Sequence, residues 1–153
     1  MDAFGKMKKQ AEEGYKQIKF VRCPYFGEDV NFNAKGLDHI KFKTWNRTRI
    51  QSDQEMRLKY LHLAPKVVSQ SHTLQGVSTA KSFERKKINN RWEKILTDVT
   101  YFEFIAVIEN VRVRVIIKEV KGGQKYFWSI IPFWKVNKQQ KKRVLISRNP
   151  ECD

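Results

Sequence analysis

The chain has 153 residues, a length that suits one domain with one core, and its 41% hydrophobic and 12% aromatic content can fill that core. Disorder of the whole chain is excluded. Its 31 Lys and Arg against 16 Asp and Glu give a net charge of +15 spread over the whole length, so the folded body itself is basic and a polyanionic partner is expected. No run approaches the roughly 18 apolar residues that cross a bilayer, and the first residues, Met1-Asp2-Ala3-Phe4-Gly5-Lys6, lack a signal-peptide core. Cys23 and Cys152 fit no zinc spacing; a reduced, cytoplasmic chain with no membrane segment, metal or cofactor is expected.

Phe4, Met7, Ala11, Tyr15 and Ile18 recur at helical spacing and predict an amphipathic helix over residues 3–18. Val30-Asn31-Phe32 reads as a short strand, after which Asn33 caps a helix running through Lys43. Ser52-Asp53-Gln54-Glu55 has the capping-box pattern and opens a helix to Ala64, stopped by Pro65, with a further short turn over 66–71. Beyond Gly76 the period changes to two. Residues 78–88 read as a charged edge strand, and 99–108, 111–120 and 125–134 as β-branched and aromatic strands. Glu109-Asn110 and Gly122-Gly123 are two-residue hairpin turns. The expected class is α+β: N-terminal helices packed on one face of a roughly four-stranded antiparallel sheet, with a loosely held basic tail over 135–153.

The two turns fix a register in which Ile116 lies opposite Ser129, Glu103 opposite Ile116 and Tyr101 opposite Lys118. Because side chains alternate across a strand, one face then carries Phe102, Phe104, Val113, Val115, Trp128 and Trp134 among others, and the helices must cover it. The other face carries Tyr101, Glu103, Arg112, Arg114, Lys118, Phe127 and Ser129. A solvated face with surface ion pairs is the plain reading of that set; a phosphate-binding and catalytic surface is the functional one.

In the segment around Gly36-Leu37-Asp38-His39-Ile40, residues Lys35, His39 and Lys43 fall at i, i+4 and i+8, and Arg47 extends the stripe if the helix continues. Two flanking ammonium groups should lower the pKa of His39 and keep it neutral until a phosphate binds. The plain alternative is a surface histidine in a basic stripe. His62, in an apolar run, and His72, in a loop, are weaker candidates.

These segments resemble phage-type nucleases of the barnase–EndoU–colicin–RelE superfamily. The resemblance is carried by Gly36-Leu37-Asp38-His39-Ile40 and by the strand runs 100–108, 112–118 and 126–132. It covers 30–134, leaving 1–29 as an N-terminal helix and connector and 135–153 as the tail. It implies a metal-independent endoribonuclease of RelE/barnase-like fold, with RNA on the sheet face away from the helices. His39 matches the superfamily's helical histidine, and Lys118 and Ser129 its polar strand positions. Many members are toxins neutralised by a separate antitoxin, which makes such a partner an expectation here too.

RNA is cut without a metal when its own 2′-OH attacks the adjacent phosphate, a reaction that needs a base, cations and an acid. Arg114 and Lys118 would clamp the scissile phosphate, with Arg112 on a neighbouring one. His39 and Glu103 are the acid and base candidates, in an order the sequence leaves open. Ser129 and Tyr101 would orient the phosphate or base, Phe127 would stack, and Lys35, Lys41, Lys43 and Arg47 would hold the backbone. The rival readings are a non-catalytic RNA- or DNA-binding module using the same cationic face, and a ribosome-associated or other structural protein using the basic tail.

Overall fold

The computed structural model describes residues 2–44, 46–132, 136–137, 142–143 and 150–153. Helix α1 (Ala3–Ile18) begins where the Asp2 side chain accepts a hydrogen bond from the Gly5 N–H at 2.7 Å. Its Phe4, Met7, Ala11, Tyr15 and Ile18 all pack on the main core. Strands β1 (Phe20–Cys23) and β2 (Glu28–Asn31) form an antiparallel hairpin. Helix α2 (Ala34–Lys41) follows, with the Asn33 side chain capping the N–H groups of Lys35 and Gly36 at 3.1 and 3.4 Å. It ends at Lys41 rather than Lys43, because Phe42 is already extended and starts the small hairpin of β3 (Phe42–Thr44) and β4 (Arg47–Thr48).

Helix α3 (Gln51–Tyr60), a 3₁₀ turn (Leu61–Leu63) and helix α4 (Ala64–Gln70) complete the helical part. The expected capping box does not form. The N-cap position falls two residues earlier, at Ile50, without a side-chain cap, and Asp53 instead binds Arg57 Nε at 2.8 Å and Arg49 Nη1 at 3.4 Å. Pro65 opens α4 rather than stopping a helix, since the first turn needs no N–H from it.

Strands β5 (Gly76–Ile88), β6 (Arg91–Ile108), β7 (Val111–Val120) and β8 (Tyr126–Pro132) form the meander read from the sequence. The sheet, however, has six strands in the order β1-β2-β8-β7-β6-β5 and is mixed, not four-stranded and antiparallel. The chain remains α+β, but its helices are interleaved with strands instead of forming one N-terminal block. The reason is the short hairpin before α2. Asn31 of β2 donates its N–H to the Lys125 carbonyl at 3.0 Å and runs parallel to β8. Residues of α1, β1 and β2 thus share one core and one sheet with the 30–134 segment. Strands β9 (Val136–Asn137) and β10 (Lys142–Arg143) pair separately; Trp134 and most of the basic tail lie outside the described residues.

Two hairpin turns place both central residues in the left-handed region, Asn89-Asn90 (φ 49° and 63°) and Glu109-Asn110 (φ 50° and 63°), the twist that joins antiparallel strands. The β6–β7 register is the one expected, Tyr101 opposite Lys118 and Glu103 opposite Ile116. Between β7 and β8 the register shifts at Ile116/Ile117, so that Ile116 faces Ser129 and Ile117 faces Phe127. One extra residue is absorbed there. Phe127 consequently turns into the helix-covered core with Phe104, Val113, Val115, Ile117 and Ile130, and stacks on Phe32 at 5.2 Å. Trp128 joins the opposite face, beside Val99, Tyr101, Ile116 and Ile131.

Gly36 lets α2 lie close on β8: a Cβ there would collide with the Phe127 carbonyl oxygen and sit 2.8 Å from both Phe127 Cδ2 and the Tyr15 hydroxyl. That hydroxyl donates to the Asn33 carbonyl at 2.6 Å, fixing α1 to the cap of α2.

Candidate functional site

Strand β2 meets β8 only at Asn31–Tyr126. Helices α2 and α3 pack along β8, and their polar side chains reach the sheet face opposite the main core. Arg57 of α3 donates from Nη1 to Ser129 Oγ at 2.7 Å and to the Ile130 carbonyl at 3.5 Å. His39 of α2 stacks on Trp128 with ring centroids 3.9 Å apart. Arg49, which follows β4, bonds the His39 carbonyl through Nε at 2.9 Å and His39 Nε2 through Nη2 at 3.1 Å. A guanidinium only donates, so Nε2 is an acceptor and the ring proton sits on Nδ1.

From the sheet side come Arg114 and Lys118 on β7. Arg114 forks between Glu103 Oε2 and Asp153 Oδ2, each at 2.9 Å, while its buried Nε has no acceptor among the described residues. Lys118 pairs with Glu84 of β5 at 2.8 Å and lies 4.2 Å from the Trp128 ring centroid and 5.7 Å from that of Tyr101. Burial of these cations is nearly complete: Arg57 is 3%, Lys118 5% and Arg114 6% exposed. A cleft of about 770 Å³ opens beside Lys118, lined by Lys35, His39, Lys43, Trp128 and Glu151 among others; Arg57 and Arg114 lie behind this lining and not in it.

Burial and neighbouring charges shift several groups. His39 is driven down to about 2, first by burial and then by Arg49, Arg57 and Lys118. The sequence led to the right direction for a different reason, since Lys35 and Lys43 are not among the causes. Arg49 is lowered to about 10, by burial and then by Arg57, with Asp53 and Asp153 opposing; it stays charged at neutral pH. Tyr101 is raised, chiefly by burial and then by Glu151 and Glu84, and stays a phenol.

The predicted set is thus largely brought together. His39, Glu103, Arg114, Lys118, Ser129 and Tyr101 share one neighbourhood, and Lys35 and Lys43 reach its cleft although only Lys35 is helical. Arg112 lies on the same face two positions nearer the β6–β7 turn. Lys41 is turned the other way and pairs with Glu12 of α1 at 3.1 Å. Arg47 is exposed on β4 and is not among the cleft-lining residues. Phe127 cannot stack on a ligand, because the bulge sends it into the core; Trp128 lies on the site face in its stead.

Arg49 and Arg57 are the residues that sequence reasoning missed. A signal existed: Gln54, Arg57, Leu58 and Leu61 follow the i, i+3, i+4, i+7 spacing of one helix face, and all four are buried. Two polar groups on an inward face need partners there. Among the described residues no group of three or more His, Cys, Asp and Glu could hold a metal ion, and no helix is long and apolar enough to cross a membrane. No family model, curated protein or solved structure matches this chain.

Proposed function

We propose that this cleft binds unpaired RNA and cleaves it by attack of a ribose 2′-OH on the neighbouring phosphate. The observation that carries the reading is the convergence of three buried guanidinium groups, Arg49, Arg57 and Arg114, beside the Glu103 carboxylate. Guanidinium forks match phosphate oxygens in pairs, and in a site with little water they stabilise the charge that grows on a pentacoordinate phosphorus. Exposed lysines at the cleft mouth, Lys35 and Lys43, would hold the flanking backbone.

In this scheme Glu103, paired with Arg114 at 2.9 Å, takes the 2′-OH proton. O2′ then bonds to phosphorus and the P–O5′ bond breaks. Lys118 gives a proton to the leaving O5′, and solvent restores both groups. The products are a 2′,3′-cyclic phosphate and a 5′-hydroxyl. His39, neutral and accepting from Arg49, positions that guanidinium instead of carrying a proton. Trp128, its faces held by His39 and Lys118, offers its ring edge to a nucleobase. Cys23 and Cys152 are not joined in a disulfide, in keeping with the reducing, cytoplasmic setting proposed here.

Purified protein incubated with RNA in excess EDTA tests the scheme. Cleavage leaving 2′,3′-cyclic phosphate ends, lost in Glu103→Gln and Lys118→Met, is the expected result. Tight binding with no cleavage of any RNA offered would reduce the protein to an RNA-binding module on the same surface.

A further inference from the structure

The point on which the three arginines converge is already taken by the chain itself. Asp153 is 2% exposed. Its carboxylate Oδ2 accepts from Arg114 Nη1 at 2.9 Å, and its main-chain oxygen accepts from Ser129 Oγ at 2.7 Å, from Arg49 Nη2 at 3.2 Å and from Arg57 Nη1. The carbonyl of Cys152 accepts from Arg49 Nη2 at 3.0 Å, and that of Pro150 from Trp128 Nε1 at 3.0 Å. Glu151 lines the cleft next to Lys118 and Trp128. This short segment therefore presents a carboxylate oxygen to Arg114 and a main-chain oxygen to Arg49, Arg57 and Ser129. A phosphodiester, with two non-bridging oxygens sharing one charge, presents the same pattern.

Charge balance supports the substitution. With Asp153 seated, the four buried cations Arg49, Arg57, Arg114 and Lys118 face the four carboxylates of Asp53, Glu84, Glu103 and Asp153. Asp53, Glu84 and Glu103 come from the α3, β5 and β6 framework. Asp153 is the carboxylate of the four that lies outside it. Removing it takes a buried carboxylate from the cluster, and Arg114 then has an open Nη1 as well as its Nε without an acceptor among the described residues. Such a pocket requires an anion.

We propose that Arg49, Arg57, Arg114 and Ser129 form the subsite for one phosphate of the RNA backbone, and that the Pro150–Asp153 segment occupies it as an internal competitor. This rests on the RNA reading of the cleft but not on cleavage. RNA binding and the seating of Asp153 are then mutually exclusive, and a backbone phosphate must displace the segment to reach the arginines.

The test uses the full chain and a single-stranded oligonucleotide uniformly 2′-O-methylated, so that binding is read without cutting. Fluorescence anisotropy gives its Kd for the wild type, for Asp153→Asn, and for Glu13→Gln, which makes the same charge change on exposed α1. A competitor seated about 90% of the time weakens apparent binding about tenfold, so Asp153→Asn should tighten Kd by about that factor while Glu13→Gln moves it less than about twofold. Equal effects of the two variants would overturn the proposal.

A second readout needs no substitution. Cys23 is fully buried and Cys152 sits within the segment. Saturating the wild type with the same oligonucleotide should raise the rate at which a thiol reagent labels Cys152 several-fold and leave Cys23 protected. An unchanged or slower Cys152 rate means that the RNA does not displace the segment, and refutes the competition. Loss of cleavage in the EDTA assay with both binding results intact would refute the catalytic reading alone.

Discussion

His39 makes the pH dependence of stability a direct probe of the buried cation cluster. The ring is 4% exposed, stacked on Trp128, and accepts from Arg49. Its pKa is near 2 in the folded protein against 6.5 for a free histidine. Between those values the unfolded chain binds a proton that the folded chain refuses. Stability from this group is therefore complete above about pH 6.5 and declines as pH falls toward 2, by about 1.4 kcal/mol for each pH unit. From pH 6.5 to about pH 5 the loss is about 2 kcal/mol, a large part of a typical domain's stability. Restricting the range to pH 5 and above keeps the carboxylates largely ionised. Urea unfolding followed by tryptophan fluorescence at several pH values measures it, with His39→Gln as the comparison. Glutamine can still accept from Arg49 but does not titrate. The variant should be less stable at pH 7, having lost the stacking, yet nearly flat from pH 7 to 5 while the wild type falls. Parallel slopes for the two proteins would refute the buried, neutral histidine.

Substitutions at three further positions give separate tests. Arg57→Ala strips Ser129, Asp53 and Asp153 of their shared donor; it should cost about 3 kcal/mol in chemical denaturation and weaken RNA binding, and Arg57→Lys should restore only part of either because an ammonium lacks the fork. Gly36→Ala drives a methyl into the Phe127 carbonyl and should destabilise by about 2 kcal/mol in thermal melts. On the long β5–β6 arm, Trp92 is 63% exposed, next to Arg85 at 5.7 Å and close to Lys87 and Lys94. Trp92→Ala should leave stability within about 0.5 kcal/mol but weaken oligonucleotide binding by about fivefold or more, through loss of a stacking surface, with turnover at saturation unchanged.

What was legible in the sequence was local. The helical period fixed by Phe4, Met7, Ala11, Tyr15 and Ile18 needs only the neighbouring turns, and Glu109-Asn110 sets the β6–β7 register because a two-residue turn leaves no freedom. That register alone brought Tyr101, Glu103, Arg114 and Lys118 to one face. What escaped depends on distant residues. The β1–β2 hairpin is too short to declare itself, and it joins the sheet only by pairing with β8, nearly a hundred residues on. The bulge opposite Ile116/Ile117 has no turn or glycine to mark it, and it exchanges the roles of Phe127 and Trp128. Arg49 and Arg57 reach Ser129 and Asp153 across separations that no spacing rule spans. Lys41 misled for a related reason: it lies two positions from His39 on a helix, so it points toward α1 and Glu12 and not into the cleft.

A pair of RNA oligonucleotides that differ at one atom tests the proposed chemistry most directly. One carries an unmodified ribose at the cleaved position, and the other a 2′-deoxyribose there. If the 2′-OH is the nucleophile, the wild-type protein in excess EDTA cuts the first and leaves the second intact at that bond while binding both with similar affinity. Cleavage of the deoxy-substituted bond at a comparable rate, or of neither oligonucleotide, would contradict it.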